Sequence, residues 1–150
     1  MERKDSILTV VIGIVAAVGG YVFSLDYLKI AESGLTLSSI VLAVYIAAIV
    51  GLINSELAKR MKRTVATPRH DKSQLGVLVS YFKIAIFFSV GTILVSSLIL
   101  LLPAPNNGAS SIAFLLWSLL STIGLVFYVE NLVFLIIILR FMLNRQIWDA

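Results

Sequence analysis

Glu130 and Asn131 interrupt a run, residues 112–139, that is otherwise built for lipid. A carboxylate in such a run either pairs with a cation inside a helix bundle or lines a path for ions or protons. Lys83 is the cation placed to meet it, directly before the apolar run 84–102. At 1.5 Å per helical residue, Lys83 and Glu130 both lie roughly 27–29 Å below the turn that joins the two runs. The midpoint of positions 83 and 130 falls between Asn106 and Asn107, at the centre of that turn. The spacing therefore predicts an intramembrane Lys83–Glu130 ion pair near the cytoplasmic boundary, with Asn131 or Tyr81 as further hydrogen-bonding groups. Its expected role is to hold the register of a helical hairpin, with Lys83 partly snorkelling. The alternative is the lining of an ion or proton path.

A second cluster, Lys59, Arg60, Lys62 and Arg63 in "KRMKR", could dock an acidic cytoplasmic protein or anionic lipid headgroups, or simply fix topology. No aromatic residue interleaves these cations, so bases have no stacking platform and direct nucleic-acid binding is not expected. His70 has only Asp71 beside it and reads as a solvated loop residue, not a metal ligand. The chain has no cysteine, which excludes disulfides, thiolate metal sites and cysteine nucleophiles. It also lacks paired aqueous carboxylates, a nucleophile beside a base and a phosphate-cradling glycine loop, so neither catalysis nor a cofactor is expected.

These residues must be positioned by elements suited to lipid. Hydrophobic residues make up 59 % of the 150 and charged residues 13 %, a balance that leaves too little polar surface for a soluble domain. Four apolar runs, 7–23, 35–53, 84–102 and 112–139, each approach the ~20 residues that span a hydrocarbon core. They are continuous rather than alternating, which favours helices over barrel strands. The expected fold is all-α: one domain, 1–150, forming an integral membrane four-helix transmembrane bundle. "MERKDS" and the apolar run after it could pass for a secretory signal, but the length and flanks of that run favour a retained span. With both termini inside, Arg3, Lys4, the "KRMKR" cations, Arg69, Lys72, Arg140 and Arg145 share one side and only Lys29 lies on the other. The positive-inside rule then predicts N-in, C-in topology.

The connections carry their own signals. Residues 24–36 should form an interfacial turn of helix, with Tyr21 and Tyr27 as aromatic anchors. The stretch 103–111, with two prolines, Asn-Asn-Gly and serines, should form a tight turn and cap the last helix. Glu56 stands three and four residues before Lys59 and Arg60, so the second span should continue as helix to about Thr64. Pro68 should end it, and Asp71 or Ser73 should cap the third span.

Small residues recur at helical spacing: Ala43, Ala47 and Gly51 in the second span, and Gly13 with Ala17 and Ala16 with Gly20 in the first. Such stripes allow close helix packing, either within the bundle or between subunits. Ser89, Thr92 and Ser96, with Ser118, Ser121 and Thr122, could line a polar seam. Their expected role is hydrogen bonding to backbone and to one another.

"GLTLSSIVLAVYIAAIV" leading into "LAKRMKR", a span rich in Phe and Ser, and the closing "LVFLIIILRFMLNR" resemble small membrane subunits of phage-defence systems. The likeness covers spans two to four and is to the superinfection-exclusion protein family RexB and to KwaA, the membrane subunit of Kiwa-type defence. The first resemblance implies an ion channel that depolarises the inner membrane; the second implies an oligomer that holds a soluble cytoplasmic partner. Neither transfers a diagnostic functional residue. The expected function is an oligomeric, multi-pass inner-membrane component of an antiviral defence assembly, acting as scaffold or effector for a cytoplasmic partner. The alternatives are an ion-conducting channel and a small membrane-complex subunit unrelated to defence.

Overall fold

The apolar runs fold as helices, and the segment between the second and third adds one short helix and a small hairpin. In chain order the elements are α1 (Arg3–Val22), α2 (Leu28–Ile53), α3 (Glu56–Arg63), β1 (Val65–Thr67), β2 (His70–Ser73), α4 (Gln74–Leu101) and α5 (Ser111–Trp148). This computed structural model describes residues 3–22, 27–53, 55–63, 65–67, 70–105 and 110–148, excepting the side chains at 3–5, 21, 57, 60, 63, 65–67, 70–72 and 144–148. Three helices, α2, α4 and α5, are long and apolar enough to cross a membrane, and α1 contributes a shorter apolar stretch, Ser6–Gly20.

The four long helices form a bundle with α1 at its edge. α2 packs along α4, α4 along α5, and α1 along the other side of α5, while α2 also touches α5. The α4–α5 hairpin is antiparallel, as expected from the short turn: Val95 meets Gly124 near one end, and Tyr81 meets Phe141 near the other. Residues 106–109, the centre of that turn, lie outside the described residues. Ser110 caps α5 through a 3.3 Å bond from the Ala113 amide, and Ser73 caps α4 through a 3.2 Å bond from the Gly76 amide. Both sequence signals for capping are thereby met.

The core lies between α2, α4 and α5, where Val41, Tyr45, Leu78, Phe82, Ala85, Phe134 and Ile138 pack together. Outside it, Phe87, Leu94, Leu98 and Leu101 of α4 and Ile112, Leu115, Leu116 and Ile136 of α5 are exposed. An outward surface of this kind is far more apolar than water tolerates. Lipid is its natural solvent.

Three connections differ from the sequence reading. α2 begins at Leu28 rather than 35, so 28–36 belongs to the spanning helix instead of a separate interfacial turn; Asp26 lies outside the described residues. The second span does not run on to Thr64, because Ser55 interrupts it. Its hydroxyl donates to the Leu52 carbonyl at 2.7 Å and accepts from the Ala58 amide at 3.1 Å, closing one helix and starting the next. The favourable Glu56–Lys59 spacing therefore supports α3 alone, where the two side chains pair at 2.6 Å. Finally, the stretch before α4 is an antiparallel hairpin rather than an irregular loop, with Thr67 opposite His70 and Val65 opposite Ser73. Pro68 lies outside the described residues, as do the side chains of His70 and Asp71.

Candidate functional site: a polar seam between the helices

Asn131 joins three helices. Its amide donates to Ser38 of α2 at 2.9 Å and its carbonyl oxygen accepts from Ser89 of α4 at 2.7 Å. Ser38, Ser89 and Asn131 are all fully buried. A polar group in this position is tolerated because its partners are supplied by neighbouring helices, in place of the water it has left.

One layer further along the bundle, Tyr27 enters the core and its hydroxyl meets Ser96 of α4 at 2.9 Å. Glycines make the slot for its ring. A side chain at Gly124 would strike that ring 2.6 Å away, and one at Gly34 would strike its hydroxyl. Tyr27 is thus a buried wedge and not the interfacial anchor that its place at a helix boundary predicts; the Tyr21 side chain lies outside the described residues. Thr92 and Thr122 bond back to the carbonyls of Phe88 and Ser118 at 2.8 and 2.9 Å. The seam of hydroxyls predicted from sequence therefore divides: Ser89 bridges α4 to α5 and Ser96 bonds Tyr27, the threonines satisfy themselves locally, and Ser121, against expectation, is buried with its Oγ unpartnered.

Glu130 lies beside this seam but turns the other way. It is 3 % exposed, and its Oε1 stands 2.7 Å from where a Cβ on Gly13 of α1 would be. Its Oε2 has no hydrogen-bond partner. Lys83 does not reach it. The lysine is exposed, on the outward stripe of α4 that continues through Phe87, Val90, Leu94, Leu98 and Leu101, and the ion pair found among the described residues joins Lys59 to Glu56. The expected Lys83–Glu130 pair is therefore corrected. The expected matched depth fails as well: Ser89 bonds Asn131 and Tyr81 meets Phe141, so Glu130 lies level with about residue 90 of α4. Lys83 sits roughly seven residues, ~10 Å, further along the helix, facing outward while its neighbours Tyr81, Phe82 and Ala85 are buried.

No match was found among protein-family models, curated proteins or solved structures. The chemistry of the site has to be read from its own geometry.

The stripes of small residues also separate. Gly13 and Gly20 of α1 face α5, with Gly20 against Leu125 and Thr122. Ala43, Ala47 and Gly51 of α2 are exposed, and nothing lies within 4 Å of a Cβ built on Gly51. Their use within the bundle, one of the two readings from sequence, does not occur. At the far end of the core, α3 tucks Ala58 and Met61 beneath α2, α4 and α5 and presents Lys59 and Lys62 outward. The side chains of Arg60 and Arg63 lie outside the described residues. Among the described residues no three His, Asp or Glu side chains gather as metal ligands would.

Proposed function

We propose that this chain is an oligomeric, membrane-embedded component of a larger assembly, a scaffold or effector for a cytoplasmic partner, with phage defence as its setting. The observation that carries the reading is the outward face of α2, where Ala43, Ala47 and Gly51 remain unpacked. Small residues on a lipid-facing surface let a second helix approach closely, and among the described residues no helix covers that surface. The defence setting is supported by the resemblance of spans two to four to RexB and KwaA subunits. N-in, C-in orientation in an inner membrane is supported by the one-sided placement of Lys and Arg. In that orientation α3 lies at the cytoplasmic end, its buried face on the core and its basic face toward a soluble partner or anionic headgroups.

The experiment is affinity purification from native membranes together with a plaque assay on cells carrying the gene and its neighbours. A soluble partner should co-purify in fixed ratio, and plaque formation should fall in the carrier strain. Neutralising Lys59, Arg60, Lys62 and Arg63 together should weaken the co-purification and make what remains less sensitive to salt. No partner and no protection would reject the reading. An ion-conducting channel is the second reading, favoured by a carboxyl group as deeply buried as Glu130. The interior between α2, α4 and α5 is filled by side chains, so conduction would require several copies around an axis. Current across planar bilayers containing the purified protein, reduced by Glu130→Gln, would select it.

A further inference from the structure

Glu130 faces α1, and among the described residues no cation pairs with its carboxyl group. From Ser6 to Gly20, α1 contains no ionisable residue. On α4, Lys83 lies on the outward stripe and Tyr81 stacks its ring edge on Phe141. On α2, Tyr45 packs against Phe82 and Lys29 and Glu32 are exposed, while Tyr27, just before α2, bonds Ser96. On α5 itself, Tyr128 meets Tyr27 and Arg140 is exposed. An ionised carboxylate held this way in a low-dielectric seam is strongly disfavoured, and groups so placed neutralise instead.

Two further features make the seam a site and not merely a buried residue. The missing side chain at Gly13 leaves the space that Oε1 occupies, so the carboxyl is seated against α1 rather than against the main core. Thr9, one turn from Gly13 on the same face of α1, is also buried, with its Oγ1 unpartnered. A second hydroxyl thus lies on the seam toward the N-terminal end of α1. Among the described residues the extensive packing of α1 is on α5, and α1 supplies no member of the Ser38–Asn131–Ser89 connection.

We infer that the α1–α5 seam is a proton-binding site, in which Glu130 carries a proton while α1 is seated and gives it up to water when α1 moves away. The ligand is a proton. No other reactant takes part: the O–H bond of the acid breaks, the electron pair stays on the carboxylate, and water takes the proton. This inference is independent of the assembly reading, since it concerns one subunit.

Infrared spectroscopy of the full chain in lipid at neutral pH reads the site directly, because a protonated carboxyl shows a carbonyl stretch that an ionised one lacks. The band should be present in the unmodified protein, absent in Glu130→Gln and unchanged in Lys83→Met. Labelling the unmodified protein with ¹³C-glutamate should move the band, which separates it from the aspartates, and retention of the moved band in Glu2→Gln, Glu32→Gln, Glu56→Gln assigns it to Glu130 even if Glu130→Gln fails to insert. Gly13→Leu, which displaces the carboxyl from its seat on α1 while leaving Glu130 itself in the chain, should diminish or abolish it. A spectrum with only ionised carboxylate bands would overturn the proposal, as would a band that persists in Glu130→Gln or does not move with the label. A band unaffected by Gly13→Leu would overturn the link to α1.

Discussion

Asn131 has a place in the fold that only its amide can fill, since it donates to one helix and accepts from another. Interhelical hydrogen bonds in lipid average about 0.6 kcal/mol and reach roughly 1.7, so Asn131→Leu should cost about 1–2 kcal/mol. Reversible unfolding in mixed micelles would measure it. The cost is not larger because Ser38 and Ser89 can turn back to carbonyls of their own helices. Lys83 and Glu130 make a different prediction. They are not in contact, so the destabilisations of Lys83→Met and Glu130→Gln should add within about 0.5 kcal/mol in the double variant; a coupling well beyond that would restore the ion pair. At this scale the sequence was half legible. It marked Glu130 and Asn131 as the residues to explain, but counting from the turn set Glu130 level with Lys83, whereas the observed register sets it level with about residue 90. The register of one helix against another and the face a side chain takes both depend on how neighbouring helices pack, and Gly13 as the seat of Glu130 becomes visible only when α1 lies against α5.

Between helices, glycines decide how closely the elements approach. Gly34 and Gly124 open the slot for Tyr27, and Gly91 receives the ring of Phe127. Gly124→Ala would place a methyl group 2.6 Å from the Tyr27 ring, and overpacking of this kind costs typically ~1–3 kcal/mol. Tyr27→Phe keeps the ring and should lose about 0.5–1.5 kcal/mol for the bond to Ser96. The unfolding midpoint of each variant would show whether the wedge or its hydroxyl matters more, and we expect the wedge. The helices themselves could be read from apolar runs because lipid demands that backbone groups be satisfied within each segment. Their ends were less legible. Ser55 stops α2 through two hydrogen bonds of its own hydroxyl, a local event that outweighs the favourable Glu56–Lys59 spacing across it. α2 also starts early, since Lys29 and Glu32 are exposed and need no break in the helix to remain wetted.

For the whole molecule, the arrangement of charge predicts orientation and the arrangement of small residues predicts association. Single cysteines at positions 5, 30, 66, 107 and 147 should be labelled from outside by an impermeant reagent only at 30 and 107. Outside labelling at 66 would reverse the topology. Association depends on a face of α2 that composition could not assign, because a stripe of Ala and Gly looks the same whether it packs inside a chain or between chains. The packing of α4 and α5 against the opposite face of α2, where Ser38, Val41 and Tyr45 are buried, leaves that stripe outward. The most direct test of the account is therefore the mass of the particle in lipid nanodiscs, measured for the unmodified chain and for the combined variant Ala43→Leu, Ala47→Leu, Gly51→Leu. The account predicts several copies per particle for the first and single, folded copies for the second; a single copy of the unmodified chain at every concentration would contradict it.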